Sequence, residues 1–458
     1  MARILLLAFL AVFVAQNNCA AEQEIPPIPN LSDWEEYMKD NARIIAAQPE
    51  TANCGDINEG FIWYYDGISI FHQIAEYTKD AAWLKVAAKI RKYYRDDYVI
   101  GCKKYSVDGW RNFTRGLRDD WLVLKDDTSR KTAIEMAKKG KFSQLLHTAD
   151  YDKFAKNVDL SREIAYAINA WHFARDLGAP EFSRRDPYLE VAYSHLDIWK
   201  IYLEGYPGSN YPGEQTAKYQ TFMFALTAEA LIRVYERPDT SADDKEKIFT
   251  KIYELAKITY NKLYNESKHG FTSNTANPNT IWGSVDLLVV PLYGWLWNQT
   301  GDKYFLEAGD KIWKNWTIYG WPQIAGWGGK QFSQNYHWSF DYVRWRSSAP
   351  VPNPLAIKIG KGRSEAALQK ILAFPKVLNL SGTMKFTLDR LLTECEVEIS
   401  NAAGEKVIVL NSKNKTYLEW DCKDENKTTV PAGAYTYLIR SKDGAEKTGN
   451  FEIKTAGR

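Results

Sequence analysis

Two stretches of this chain can be laid over one another: residues 76–94 read EYTKDAAWLKVAAKIRKYY and residues 297–315 read WNQTGDKYFLEAGDKIWKN. Each carries a Thr-x-Asp turn, Thr78–Asp80 and Thr300–Asp302, between two patterns with apolar residues at helical spacing. The unit is a helical hairpin, and a lone hairpin cannot bury its apolar faces, so it must stack on others of its kind.

The surrounding chain supplies them. Apolar residues recur at three- and four-residue spacing in Ile68–Ile74, Ala82–Ile90, Ile164–Phe173, Phe222–Val234, Ile248–Tyr260 and Phe305–Trp313, divided by polar turns such as Gly178–Pro180 and Arg237–Asp244. Hairpins are expected to start near residues 60, 118, 162, 216 and 281, with a last helix near 334. A repeat of roughly fifty residues suits hairpins closing on themselves. The expected fold class is therefore multidomain and mainly α: an (α/α)6-type toroid over residues 22–346, then a small antiparallel β-sandwich. A proline-rich stretch, SSAPVPNP, opens a linker over 347–377, and alternating apolar and polar residues mark the sandwich over 378–458.

The first 21 residues, MARILLLAFLAVFVAQNNCAA, have a positive start at Arg3, an apolar run and small residues at Ala20 and Ala21. They read as a secretory signal, too short to span a bilayer. The expected location is secreted, periplasmic or cell-surface, with no membrane span in the mature chain. Removing that segment leaves Cys54, Cys102, Cys395 and Cys422, read as disulfides Cys54–Cys102 and Cys395–Cys422. A formal net charge of +2 gives no argument for a nucleic-acid partner. There is no Gly-rich phosphate loop, no G-x-S-x-G and no H-E-x-x-H, and no metal or cofactor is expected. The sequence assigns no oligomeric state.

In a toroid the inner helices run parallel, so the residues that head them meet at one end. The first head carries Asp56, Asn58, Glu59, Trp63, Tyr64, Tyr65 and Asp66; the second Arg115, Arg118, Asp119, Asp120 and Trp121; the third Arg162, Glu163 and Tyr166. The fourth carries Glu214, Gln215, Tyr219 and Gln220; the fifth Asn279, Trp282 and Asp286; the last Gln334, Asn335, Tyr336, His337, Trp338, Asp341 and Arg344. Helix heads favour Asp, Asn and Glu as caps, which accounts for part of the pattern. Capping does not account for Trp-Tyr-Tyr-Asp or Asn-Tyr-His-Trp. With 14% aromatic residues in the chain, such clusters suit a saccharide cleft, where flat rings meet the apolar faces of sugars.

Two resemblances fit these residues. VEISNAAGEKV (397–407), Trp420–Asn426 and VPAGAYTY (430–437) resemble the FlgD-like immunoglobulin-like domain, an accessory module of exported bacterial proteins. Cys422 and Lys427 stand where that family's W-D-G-x-D-x-x-G pattern has glycine, and a Cys395–Cys422 disulfide would fix the turn by another means. The Thr-x-Asp hairpins, SREIAYAINAWHFA (161–174) and TFMFALTAEALIRVYE (221–236) resemble the six-hairpin (α/α)-toroid superfamily of glycoside hydrolases and polysaccharide lyases. That resemblance implies a poly- or oligosaccharide substrate and two competing chemistries. A hydrolase needs paired carboxylates, for which Asp66 with Asp286 is the first choice and Asp56 and Glu59 follow. A lyase needs a proton-abstracting base and groups that neutralise a uronate, which Tyr336, His337, Asn335 and Arg344 supply. Trp63, Tyr64, Tyr65, Arg162, Tyr219, Trp282 and Trp338 are the expected sugar contacts in either case. A sugar-binding surface protein without chemistry is the third reading.

Overall fold

The structure, a computed structural model, describes residues 25–47, 62–142, 151–205, 219–272, 275, 280–281, 283–319, 328–351, 353–355, 372–374, 377–379, 382–387, 395–412, 417–442 and 444–455. The expected signal sequence lies outside the described residues, as do Cys54, Asp56, Glu59 and Trp282.

The helices are α1 (Leu31–Ala47), α2 (Gly67–Thr78), α3 (Trp83–Arg91), α4 (Arg115–Leu124), α5 (Asp127–Lys139), α6 (Tyr151–Lys156), α7 (Ser161–Asp176), α8 (Tyr188–Gly205), α9 (Thr221–Tyr235), α10 (Ala242–Leu263), α11 (Asp286–Thr300), α12 (Lys303–Tyr319), α13 (Gly328–Tyr336) and α14 (Ser339–Arg346). A two-residue hairpin, β1 (Tyr264–Asn265) and β2 (Gly270–Phe271), lies between α10 and α11. Among the described residues, no helix is long and apolar enough to cross a membrane.

The two copies of the sequence repeat fold by the same hydrogen bonds. Thr78 Oγ1 donates to the Ile74 carbonyl (2.7 Å) and Thr300 Oγ1 to that of Leu296 (2.6 Å). Each hydroxyl accepts from the Asp N–H two residues on, and each Asp accepts from the N–H two residues further: Asp80 takes that of Ala82 in the turn before α3 and Asp302 that of Tyr304 in the first turn of α12. The residue between is left-handed in both, Lys79 at φ 56° and Gly301 at φ 66°. These bonds end one helix and turn the chain towards the next, across four intervening residues in the first copy and two in the second, so α2 folds back on α3 and α11 on α12. The pairs α4/α5, α7/α8 and α9/α10 also pack together.

The first helices of these pairs contact one another in turn: α2 against α4, α4 against α7, α7 against α9, α9 against α11, α11 against α13 and α14, and α13 back against α2. Helices α7, α9 and α11 are buried along nearly their whole length. Charged groups among them must therefore be paired. Asp120 of α4, fully buried, meets the requirement by accepting from His72, Arg91 and Ser129 on α2, α3 and α5.

Strands follow the helices. Sheet one is β3 (Leu372–Phe374), β5 (Met384–Thr387) and β8 (Tyr417–Trp420); sheet two has the order β4 (Val377–Asn379), β10 (Glu446–Lys454), β9 (Gly433–Ser441), β6 (Cys395–Asn401) and β7 (Lys406–Asn411). Met384, Phe386, Leu418 and Trp420 of the first share one core with Val397, Ile399, Tyr435, Ile439 and Phe451 of the second. The expectation of an antiparallel domain needs one correction, because β4 runs parallel to β10. Strands β3 and β4 also begin inside the stretch expected as linker.

The expected Cys395–Cys422 disulfide is absent: both are free, buried thiols. Cys422 Sγ instead donates to the Gly382 carbonyl (3.4 Å). The turn is held by Asp424, which accepts from Asn426 N and Thr428 N (2.9 and 2.8 Å), and by Trp420 Nε1, which donates to the Lys423 carbonyl (2.6 Å). Cys422 and Lys427 both keep the left-handed backbone that glycine favours, at φ 58° and 62°. Cys102 is disulfide-bonded, and Cys54, the partner expected for it, lies outside the described residues.

Candidate functional site

The heads of α2, α4 and α7 come together around Tyr65 and Asp66, two successive residues with left-handed backbone (φ 59° and 64°). Both carboxylate oxygens of Asp66 accept from Gly116 N at 3.1 Å, and Oδ1 also caps α2 through Ser69 N (3.5 Å). A Cβ at position 116 would stand 2.5 Å from Asp66 Oδ1, so only glycine lets α4 approach this close. Burial pushes the Asp66 carboxyl up to about 6, against the pull of the Gly116 hydrogen bond. Asp66 thus joins the heads of two helices.

A buried ion network lies beside it. Glu229 of α9 takes His337 Nε2 on Oε2 (2.8 Å) and both Nη2 and Nε of Arg233 on Oε1 (2.7 and 3.1 Å), with Arg115 Nη1 3.9 Å away. His337 Nδ1 faces the Tyr65 carbonyl at 2.9 Å. The His337 carbonyl in turn accepts from Gln73 (3.2 Å) and Arg115 (3.4 Å). Burial would raise the Glu229 carboxyl, but His337 and Arg233 outweigh it and bring it to about 2. Glu229 is then an ionised acceptor, and a carbonyl can only accept. Both imidazole nitrogens of His337 therefore face acceptors. His337 reaches this place because the chain leaves helix there: α13 stops at Tyr336 and α14 starts at Ser339, where a single helix was expected.

At the head of α7 the pairing is incomplete. Glu163 Oε1 accepts from Arg162 Nη2 and Nε (2.7 and 3.2 Å), while Oε2 is buried without a hydrogen-bond partner. One turn on, the buried Tyr166 hydroxyl also has no partner. Its ring stands edge-on to Phe113 (5.3 Å), which meets Tyr64 in the same way (5.5 Å). Burial first, then the Tyr65 side chain, pushes the Tyr166 hydroxyl well above its ordinary range, with Arg162 pulling the other way. A carboxylate oxygen and a hydroxyl with free capacity, three residues apart on one helix face, can exchange protons with a bound substrate.

The remaining sequence-derived residues lie elsewhere. Asp286 is buried against Phe271 N (3.4 Å), its Oδ2 has no partner, and burial raises it well above the usual carboxylate range. Among the described residues, no hydrogen bond links it to Asp66, whose oxygens face Gly116 and Ser69. Tyr336 packs into Trp34 and Phe332, with its hydroxyl 3.4 Å from the Trp34 carbonyl, and does not point to a substrate. Trp338 donates to the Leu288 carbonyl (2.7 Å), Tyr219 bonds Thr259 (2.7 Å) beneath Trp199, and Trp63 stacks on Tyr98 (5.1 Å); all three are core residues. Asn335 is fully buried with an unpartnered amide. Arg344 is exposed, beside Asp341 and Glu236. Tyr64, Tyr65, Arg162 and His337 are the ones that meet.

Glu229 and Arg233 were not singled out from the sequence. Their signal is an acid and a base four residues apart in the otherwise apolar run TFMFALTAEALIRVY, on a helix too buried to leave charges unpaired. Among the described residues, no group of three His, Cys, Asp or Glu side chains could hold a metal ion.

No family model matches this chain, and no curated protein matches it. Two solved structures show weak likeness. One is PorZ, an essential bacterial surface component of the type-IX secretion system of Porphyromonas gingivalis, at 20% identity over 21% of this chain and 13% of that one, with a TM-score of 0.18. The other is the alkylpurine DNA glycosylase AlkC of Pseudomonas fluorescens bound to DNA containing an abasic-site analogue, at 11% identity over 84% of this chain and 96% of that one, with a TM-score of 0.13. TM-scores this low do not indicate a shared fold, and neither likeness bears on function.

Proposed function

We propose that this chain is an exported carbohydrate-active enzyme, a glycoside hydrolase acting on a poly- or oligosaccharide at the head of α7. The observation that carries the reading is the pair of buried, unpartnered groups there, Glu163 Oε2 and Tyr166 Oη. Leaving two polar groups unsatisfied in a packed interior costs stability, and such sites are retained where a substrate completes them. Glu163 would pass a proton to the leaving oxygen, and Arg162 would hold its other oxygen in place. Asp66 and Glu229 have both oxygens engaged, so Asp56 and Glu59 are the candidates for the second carboxylate. The reading takes the helical region as an (α/α)6-type toroid, supported by the succession of contacts from α2 round to α13 and back. The signal-like first residues support export.

A β-eliminating lyase is the second reading, favoured by the position of Tyr166 beside Arg162. The arginine would neutralise a uronate carboxylate, and the tyrosine, held protonated by its burial, would pass its proton to the leaving oxygen. Incubation with a panel of neutral and uronate polysaccharides separates the readings. A hydrolase releases reducing ends without an unsaturated product, and Glu163→Gln lowers its rate by about two to four orders of magnitude. A lyase yields an ultraviolet-absorbing unsaturated end and is stopped by Tyr166→Phe. Turnover unchanged in both variants would place the site elsewhere.

A further inference from the structure

The ion network has a second side. Helices α4, α7 and α9 border a cavity of about 460 Å³ at the C-terminal ends of α7 and α9, away from the helix heads. Three guanidinium groups line it, those of Arg118, Arg233 and Arg237, against two carboxylates, Asp176 and Glu236. Arg233 is held by Glu229, and Arg237 by Asp176 Oδ1 (2.6 Å) and Asp239 Oδ1 (3.1 Å).

Arg118 is held more loosely. Its Nε pairs with Asp176 Oδ2 across 3.4 Å, without hydrogen-bond geometry, and its Nη1 donates to Asp119 Oδ1 at 3.5 Å. Its guanidinium lies over the Phe173 ring (5.3 Å), which fixes the plane of the fork. His172, nine-tenths buried in the same wall, comes within 3.3 Å of Asp186 Oδ2, yet neither of its ring nitrogens has a hydrogen-bond partner. Two groups able to donate are thus held only by long carboxylate contacts around one space large enough for a small molecule. Burial raises the Glu236 carboxyl above its ordinary range, with Arg344 pulling the other way.

We infer that this cavity binds a small organic oxyanion, a carboxylate or phosphate on a body about the size of one sugar ring, through Arg118 and Arg237. A planar guanidinium whose own carboxylate contacts are long (3.4 and 3.5 Å) suits a two-oxygen acceptor, which neither a neutral sugar nor a cation provides. The site is separate from the head of α7 and does not depend on the activity proposed there.

Calorimetric titration of the full chain with galacturonate, glucose 6-phosphate, inorganic phosphate and neutral galactose tests the inference. Binding of an anion but not of galactose is expected, and the preferred anion separates carboxylate from phosphate recognition. Arg118→Met and Arg237→Met are expected to weaken binding by about tenfold or more each. Glu163→Gln should leave it unchanged, so loss of saccharide turnover in that variant does not count against the anion site. Should the arginine variants fail to fold, the wild-type chain still decides: bound anion should protect Arg118 and Arg237 from phenylglyoxal in a mass-spectrometric map. Galactose binding as tightly as the anions, protection at other arginines alone, or no binding by any of these probes would overturn the inference.

Discussion

Glu229 and His337 stand 108 positions apart in the chain and 2.8 Å apart in the fold. The pair ties α9 to the break between α13 and α14, and the Tyr65 carbonyl on the far nitrogen of His337 extends the tie to the head of α2. Removing one partner leaves a buried group without its counter-charge. Either Glu229→Gln or His337→Gln is expected to destabilise the helical region by about 3–5 kcal/mol. The double variant should cost clearly less than the sum, because the orphaned charge is gone. Urea unfolding of all four proteins gives the coupling, and simple additivity would mean that the two side chains stabilise the fold independently.

Two buried carboxyls, Asp66 and Glu229, have opposite pH dependence. Asp66 is raised in the folded state to about 6 from 3.8, so its contribution is full below about pH 4 and lost as pH rises through 6. Glu229 is lowered to about 2 from 4.5, so its contribution is present above about pH 4.5 and lost as pH falls towards 2. Each is worth at most about 3 kcal/mol over its window. Stability should therefore fall by up to this amount between about pH 4 and 6, and Asp66→Asn should flatten that slope while leaving the acid limb below pH 4. Denaturation midpoints measured across pH 2–8 check both limbs. A wild-type curve that rises between pH 4 and 6 would show that Asp66 ionises easily where it sits.

In the strand domain, Lys427 occupies a glycine conformation at φ 62° on an exposed turn, and its N–H donates to the Asp424 carbonyl (3.0 Å). Lys427→Gly keeps that bond and removes the clash of Cβ with its own backbone. It is expected to stabilise this domain by about 1 kcal/mol. Cys422→Gly at φ 58° gains the same relief but loses a buried side chain and its bond to Gly382, so little or no net gain is expected. Thermal melts of the two variants should differ in this order.

The hairpins were legible in the sequence because everything that makes them is local. Thr-x-Asp ends one helix and turns the chain towards the next using bonds that span four residues at most. The strand domain was legible through its alternation and the W-D turn, whose glycine positions kept their backbone after losing glycine. The candidate site was less so, for two reasons. Asp is favoured at a helix head both as a cap and as a reactive carboxyl, and Asp66 is used as a cap and a bridge to Gly116. A single helix near 334 is what the sequence predicts, but the break at His337–Trp338 between α13 and α14 puts His337 against Glu229. Glu163 and Tyr166 were visible at the head of α7, yet only the packing around them showed that their polar atoms have no partner.

The twin turns also make a matched pair of experiments. At the central position one copy has Lys79 and the other Gly301, in the same left-handed conformation. A Cβ on Gly301 would meet Pro350 at 3.6 Å, an ordinary contact, so Gly301→Ala tests backbone strain alone. It is expected to cost about 1 kcal/mol, and Lys79→Gly to return about the same. The flanking acids should be equivalent too: Asp80→Ala and Asp302→Ala each remove one carboxylate-to-backbone hydrogen bond and should each cost about 1 kcal/mol. Chemical unfolding of the four single variants measures these values. Opposite signs at the central position with matching signs at the acids would establish that one turn was written twice; a loss on Lys79→Gly would mean that the lysine side chain contributes more than its backbone costs.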